Sequence, residues 1–193
     1  MTITEQKRIV RRTMHRKLKQ ITSDERTEWS HHICTRIQAL NRYVQADTIL
    51  GFIPTVYEPD LTVVYDAALR NGKQVAFPRC ASDGSLQFVL VDTRWKSQTQ
   101  RYALPVEEPG PVYTQIADTS EIHTVLMLIP AVAFTAGGLR LGHGMGYYDR
   151  YLARHQVPGE PVGVCFSLQV LDSLPGEVHD RHVHMVITEQ GIL

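Results

Sequence analysis

A glycine-rich loop constrains the fold of this chain more than any other stretch of its sequence. Gly142, Gly144 and Gly146 stand at alternate positions between an apolar run, Val125 to Ala131, and a periodic segment, Tyr147 to His155. The run is typical of a buried strand and the segment of a helix. Glycine lets a backbone approach a ligand closely, and a helix that starts there presents unpaired N–H groups. The layout is therefore typical of an anion site.

Charged residues flank this loop. Arg140 precedes it and Asp149 follows it, so a phosphate would meet a positive charge and its magnesium a carboxylate. The loop lacks the Gly-Lys-Ser/Thr ending of the P-loop and the spacing of the dinucleotide fingerprint. From the residues alone a structural explanation stays open, in which the glycines form a turn and Asp149 complements the helix dipole.

Length and composition indicate one folded domain that covers residues 1–193. Hydrophobic residues make up 43% of the 193, which excludes a disordered chain. No apolar stretch reaches the roughly 18 residues that span a bilayer, and no apolar signal core follows the basic N-terminus. We therefore expect a soluble, cytoplasmic protein without a membrane partner.

The cysteines and the charge distribution argue against a disulfide-bonded, a zinc-binding or a nucleic-acid-binding protein. Cys34, Cys80 and Cys165 are far apart and lack C-x-x-C spacing, so we predict inert thiols rather than disulfides or a zinc site. Ten of the 20 Lys and Arg residues lie in the first 42 positions, so this end faces an anion or solvent. Nucleic acid is a poor candidate, because the net charge is zero and Trp29 is the only Trp, Tyr or Phe within these 42 positions.

The N-terminal segment predicts an amphipathic helix from Thr4 to about Gln20, with Thr4 as a possible N-cap. Lys7 and Arg11 are four positions apart and so share one face of this helix. They are either a solvated face or a pair of anion contacts.

The rest of the chain alternates between helical and strand patterns. A second helix, N-capped by Ser23, is predicted to reach about Arg42, and a strand-helix-strand unit follows it. Such a unit implies a parallel strand pair, whose sites lie beyond the carboxyl ends of the strands, where Glu58 falls. Residues 92–118 show no clear periodicity. The predicted strands are 47–53, 74–77, 86–91, 125–131, 162–166 and 183–188, and the helix between the first two is 61–71.

The run Leu128-Ile-Pro-Ala-Val-Ala-Phe134, followed by Arg140-Leu-Gly-x-Gly-x-Gly-Tyr-Tyr-Asp149, resembles the signature of the 5-formyltetrahydrofolate cyclo-ligase family. The resemblance extends in the family's order and spacing to Lys7, Arg11, Glu58, Glu108-Pro109, Glu177-x-x-Asp180 and Ile187-Thr-Glu189. It covers nearly the whole chain and is far more specific than the glycine loop alone.

This resemblance implies an α/β fold of Rossmann-like architecture, with a mostly parallel sheet and helices on both faces. It implies a ligase of one-carbon metabolism that uses ATP and Mg²⁺ to convert 5-formyltetrahydrofolate to 5,10-methenyltetrahydrofolate, through a phosphorylated formyl group, with release of ADP and phosphate. We expect the protein to be a monomer. A non-catalytic nucleotide- or folate-binding relative of the same fold is the alternative.

The resemblance also implies a role for individual residues. The catalytic residues would be Lys7, Arg11 and Arg140, which would bind the nucleotide and neutralise its phosphate charge. Magnesium would be held by Asp149 and Asp180. The nucleotide would further contact Leu141, Gly142, His143, Gly144, Met145, Gly146, Tyr147 and Tyr148, and the folate would contact Ile53, Glu58, Tyr147 and Tyr148.

Two features stand apart from this assignment. Thr135 occupies a position where the family often has an aspartate, while His143 and Met145 occupy variable positions of the loop. In addition, His182 and His184 would share one strand face near His179 and Asp180, so a histidine metal cluster is conceivable.

Overall fold

A computed structural model of the chain describes residues 1–81, 83, 85–101, 107–115, 117, 124–155, 161–177 and 180–193. Its helices are α1 (Ile3–Leu18), α2 (Ser23–Ala39), α3 (Asn41–Gln45), α4 (Thr62–Arg70) and α5 (Tyr147–Arg154). Its strands are β1 (Thr48–Leu50), β2 (Gln74–Cys80), β3 (Leu86–Val91), β4 (Thr99–Arg101), β5 (Glu107–Pro109), β6 (Val125–Pro130), β7 (Ala133–Phe134), β8 (Arg140–Leu141), β9 (Val162–Val164) and β10 (Met185–Ile187).

A six-stranded sheet forms the centre of the fold, in the order β10-β9-β6-β1-β2-β3. The first five strands in that order are parallel to one another, and only β3 runs antiparallel to its neighbour β2. Two short antiparallel pairs, β4-β5 and β7-β8, lie outside this sheet. The predicted mostly parallel sheet, including the β1-α4-β2 unit, is confirmed.

Both faces of the sheet are covered, as predicted. On one face α1, α2 and α4 contribute Met14, Ile33 and Tyr65 to the larger hydrophobic core. On the other face Tyr151 of α5 packs in a separate cluster that includes Phe88. Large apolar side chains buried to this degree each stabilise the fold by about 1.5–3 kcal/mol relative to exposure.

Two helix starts differ from the sequence expectation by one or two residues. Thr2, not Thr4, caps α1, and Thr22, not Ser23, caps α2. Each threonine accepts a hydrogen bond from the backbone of the glutamate three positions later, and that glutamate bonds back to the cap. The reciprocal capping box leaves fewer unpaired donors than a lone hydroxyl would, which decides the starting point.

Other element boundaries also differ. The second helix stops at Ala39 because Leu40 is extended, and α3 follows as a separate short helix. Strand β2 continues through Pro78 to Cys80. Beyond Ala76 only β3 pairs with it, so one side of the strand has no partner strand there. Pro78, which has no backbone N–H, therefore needs no donor on that side. The strands β1, β6, β9 and β10 and the helix α5 are all shorter than predicted.

Two smaller expectations concern membrane spans and thiols. Within the described ranges, no helix is both long and apolar enough to cross a bilayer. All three cysteines are free thiols; Cys34 and Cys165 are buried, and Cys80 is partly buried.

Candidate active site

The sequence-predicted site residues gather at the carboxyl edge of the central sheet. The loop after β1 carries Glu58, the segment after β6 leads into the glycine loop, and α1 lies across both. This edge is where parallel sheets bind their ligands.

The glycine loop is held against α1. Gly144 and Gly146 have φ values of +107° and +65°, a backbone conformation that favours glycine. Nε of Arg11 donates to the carbonyl oxygen of Gly142 at 2.8 Å. A Cβ at position 144 would lie 3.3 Å from Cζ of Arg11, so the guanidinium lies directly over this glycine.

The start of α5 adds backbone donors next to the loop. Gly146 is its N-cap residue and supplies no side-chain cap. Because the first N–H groups of a helix have no partner within the helix, this terminus favours an anionic ligand in the loop.

A cavity of about 400 Å³ lies between α1 and the sheet edge. Basic side chains from α1 line this cavity together with Glu58 and His143. Nε2 of His143 is 3.8 Å from Oε1 of Glu58. The residues that line the cavity are Arg8, Arg11, Arg12, His15, Leu18, Thr55, Tyr57, Glu58, Ala131, Val132, His143 and Gln169.

Glu58 is a buried carboxylate in this cavity. Its Oε2 accepts the backbone N–H of Thr55 at 2.8 Å, which fixes the side chain within its own loop. The resemblance also assigns Ile53, Tyr147 and Tyr148 to the folate, but none of these three lines the cavity, and Ile53 belongs to the hydrophobic core.

The two tyrosines after the loop have different surroundings. Burial raises the pKa of the Tyr148 hydroxyl, and the negative charge of Glu58 raises it further. The negative charge of the Cys80 thiolate, and then the hydrogen bond between the Tyr147 hydroxyl and Cys80, raise the pKa of Tyr147 as well. Guanidinium groups cover both rings, with Arg140 5.7 Å from the Tyr148 centroid and Arg150 5.1 Å from that of Tyr147.

Lys7 forms ion pairs with the segment before β10. Its Nζ is 2.7 Å from Oε2 of Glu177 and 3.0 Å from Oδ2 of Asp180. Burial lowers the pKa of Lys7, but the hydrogen bonds that its ammonium donates to both carboxylates, together with their charges, outweigh burial and raise it above the ordinary value. Lys7 and Arg11 thus share one helix face, as predicted, while Lys7 itself contacts carboxylates.

Arg140 forms a second ion pair. Its Nη2 is 2.7 Å from Oδ1 of Asp149, and its side chain is only 3% exposed. Burial lowers the pKa of Arg140, whereas the charges of Asp149 and Asp180 oppose that shift. The backbone N–H of Arg181 also donates to Asp149 at 3.3 Å. Both predicted metal carboxylates therefore lie near one buried guanidinium.

These carboxylates suit a magnesium ion that arrives with a nucleotide. Mg²⁺ commonly takes one or two protein carboxylates and completes its coordination with phosphates and waters. Among the described residues no three His, Cys, Asp or Glu side chains form a metal-binding group, so a cage made only of protein ligands is not supported. The exposed His182 and His184 add no such group there, and His179 lies outside the described residues.

Several residues of this region were not singled out from the sequence. Arg8, Arg12 and His15 line the cavity, and their spacing of four and three along α1 could have indicated it. Thr135 has a structural task, since its Oγ1 accepts the backbone N–H of Leu139 at 3.1 Å. A threonine hydroxyl therefore meets the need of this turn without an aspartate.

Comparison with known proteins assigns the chain to a family. A model of the 5-formyltetrahydrofolate cyclo-ligase family matches residues 3–189. The chain belongs to this family. The 5-formyltetrahydrofolate cyclo-ligase of Mus musculus is 26% identical over 99% of this chain and 97% of its own length. That of Escherichia coli K12 is 26% identical over 89% of this chain and 94% of its own.

Solved structures support the same assignment. The 5,10-methenyltetrahydrofolate synthetase of Aquifex aeolicus superposes with a TM-score of 0.80 at 27% identity, over 96% of this chain and 91% of that one. The synthetase of Mycoplasma pneumoniae, at 22% identity and a TM-score of 0.75, covers 95% of this chain and 98% of its own and shares the fold. The predictions of an α/β fold and of an enzyme in this ligase family are confirmed.

Proposed function

We propose that the chain converts 5-formyltetrahydrofolate to 5,10-methenyltetrahydrofolate and couples the reaction to hydrolysis of ATP to ADP and phosphate. Family membership supports the reaction class. The observation that carries the proposal is the cavity that joins the Arg11-covered glycine loop to the buried carboxylate of Glu58. A phosphate site and an acceptor for a pterin thereby share one space.

The chemistry needs an activated formyl group, because an amide-like oxygen leaves poorly. In the proposed sequence the formyl oxygen bonds to the γ-phosphorus of ATP as the bond to the β-phosphate oxygen breaks and ADP departs. The N10 lone pair then forms a bond to the formyl carbon and N10 loses its proton. Phosphate leaves with the electrons of the C–O bond, which yields the methenyl cation. Such chemistry depends mainly on positioning and on neutralising phosphate charge.

The cations and backbone donors of the loop would serve the phosphates. Arg11 and the amides of residues 141–146 would bind them, and Lys7 would exchange its present carboxylate partners for a phosphate oxygen. Asp149 and Asp180 would hold Mg²⁺, which would supply further positive charge for the phosphates. Arg140, which is buried against Asp149, would fix that carboxylate and add positive charge to the region.

The pterin would lie on the other side of the cavity. Glu58 would accept from it, and Tyr147 and Tyr148 would contact its ring, while Ile53 supports the wall from within the core. We further propose that the protein acts as a monomer of one domain. All residues described in the cavity lining come from one copy of the chain: α1, the loop after β1, the segment after β6, the glycine loop and Gln169.

An oxygen label tests the coupling. With ¹⁸O in the formyl oxygen, the proposal predicts transfer of the label to inorganic phosphate and one ADP for each methenyl product. Product without labelled phosphate, or without ADP, would contradict the phosphorylated intermediate.

A further inference from the structure

Glu108 is a buried carboxylate that β5 holds against the end of β2. The residue is 3% exposed, and its Oε1 accepts the backbone N–H of Cys80 at 3.2 Å. Its Oε2 is also buried, yet this oxygen has no hydrogen-bond partner within the described part of the chain. A buried carboxylate oxygen without a donor is costly, so this one needs an explanation beyond the folding of the chain.

The neighbours of Glu108 belong to the proposed pterin site. The Cys80 thiol interacts with the Glu108 carboxylate and with the Tyr147 hydroxyl. Tyr148, the next residue of α5, is close enough to Glu58 for the negative charge of that carboxylate to raise its pKa. Two consecutive tyrosines are therefore near two buried carboxylates: Glu58 in the loop after β1, and Glu108 in β5 against the end of β2.

The order of the strands places Glu58 between the cavity and Glu108 along the edge of the sheet. Arg11 and the segment after β6 border the cavity, Glu58 follows β1, and Cys80 ends β2, which is next to β1 in the sheet. Neighbouring strands are about 4.8 Å apart, so a flat two-ring pterin can extend from one strand end to the next. If the formyl group on N5 lay beside Arg11, the pyrimidine ring of the pterin could extend toward the end of β2.

We propose that Oε2 of Glu108 accepts a hydrogen bond from the exocyclic 2-amino group of the pterin. The inference rests on the proposed function and adds a specificity-determining residue to it. The carboxylate would select ligands that carry an N–H donor at this position, because a ligand without one leaves the buried oxygen unpaired.

A ligand pair tests the proposal directly. Binding of 5-formyltetrahydrofolate and of its 2-desamino analogue is measured without ATP, for the wild type, Glu108→Gln and the control Glu107→Gln. Glu107 is the exposed neighbour of Glu108 in β5 and bonds to Thr99, so its variant tests the strand without the buried acceptor. Hydrogen bonds to charged groups correspond to about a tenfold to hundredfold change in affinity.

The wild type and Glu107→Gln should therefore bind the desamino analogue about tenfold to hundredfold more weakly than the parent. Glu108→Gln should bind the parent more weakly by a similar factor, and the difference between the two ligands should shrink to about threefold or less. Affinity for ATP should stay the same in all three proteins. A purely structural role for Glu108 would weaken both ligands equally and would leave their ratio unchanged.

Equal affinity of the wild type for the two ligands would overturn the inference, even if Glu108→Gln fails to fold. So would an unchanged ligand ratio in a folded Glu108→Gln variant. Both results leave the proposed function intact if the wild type still forms methenyltetrahydrofolate. A wild type that neither binds nor converts 5-formyltetrahydrofolate overturns the proposed function together with this inference.

Discussion

Nζ of Lys7 lies 3.0 Å from Oδ2 of Asp180, a residue 173 positions later in the chain. This contact ties α1 to the segment before β10, and both partners belong to the groups proposed to bind phosphate and magnesium. Their side chains are 12% and 11% exposed, so the pair is shielded from water. The contact therefore stabilises the fold and brings together two residues of the proposed phosphate and magnesium site.

Lys7→Ala should lower both stability and ATP affinity. Loss of the ammonium leaves Glu177 and Asp180 facing each other, so the free energy of unfolding should fall by about 1–3 kcal/mol. KM for ATP should rise about tenfold or more. The exposed Lys17 of the same helix provides the control variant Lys17→Ala, for which both quantities should hardly change. Denaturant unfolding and initial rates measure them. Equal results for the two variants would argue against a role of Lys7 in stability and in ATP binding.

The pH dependence of this contact has a defined sign. Because the folded chain raises the pKa of Lys7 above its ordinary 10.5, its contribution to stability is complete below that pH. It declines only as the pH rises through the folded value. The stability difference between wild type and Lys7→Ala should therefore stay constant from neutral pH to about pH 10 and decrease above it, as unfolding measured across this range would show.

Gly144→Ala should impair turnover beyond its effect on stability. Gly144 has φ +107° and lies under the Arg11 guanidinium, so a methyl group would strain the backbone and displace that cation. Gly72 provides the control, since it has φ +78° and open space around the position of a Cβ. Both alanine variants should lose about 1–2 kcal/mol of stability, but only Gly144→Ala should lose most of its turnover. Normal turnover in a folded Gly144→Ala variant would argue against a role of this loop in catalysis.

The two carboxylate variants Asp149→Asn and Asp180→Asn should share one defect. Both should need more magnesium for half-maximal turnover, and their maximal turnover should fall about tenfold or more. Asp149→Asn should also lose about 1–3 kcal/mol of stability, because the buried Arg140 loses its counter-charge. Stability alone therefore cannot test the metal role of Asp149. Magnesium titration of turnover does so, with the exposed Asp24→Asn as control; a normal magnesium requirement in Asp149→Asn would contradict that role.

Cys80 should resist alkylation at mildly alkaline pH. Burial and the hydrogen bond to Glu108 raise the pKa of its thiol from 9.0 to about 11. Since only the thiolate reacts, alkylation at pH 8 should be about a hundredfold slower than in the unfolded chain and should accelerate up to about pH 11. Peptide mapping after timed labelling measures this. Rapid labelling of Cys80 at pH 8 in the folded protein would contradict the structure of this cluster.

Local patterns predict much of the fold. The alternation of strands and helices, the glycine loop before α5 and the shared face of Lys7 and Arg11 all follow from spacing along the chain. The helix starts are wrong by one or two residues because Thr2 and Thr22 form reciprocal capping boxes. That error is local, and the S/T-x-x-E pattern in the sequence could have corrected it.

Long-range partners are not predictable in the same way. The sequence indicates that Lys7 and Arg140 are cations near a phosphate site, but not that each contacts a carboxylate. The burial of Glu108 against Cys80 likewise depends on how β5 reaches β2, from a segment without clear periodicity. Such contacts arise from tertiary packing, and the spacing of residues along the chain does not predict them.

The most direct measurement is the formation of methenyltetrahydrofolate from 5-formyltetrahydrofolate by the purified wild-type protein. The account predicts a steady rise in absorbance of the methenyl product when ATP and Mg²⁺ are both present, and none when either is omitted. Folded protein that binds the folate and ATP yet forms no product would contradict the account and favour a non-catalytic binding protein.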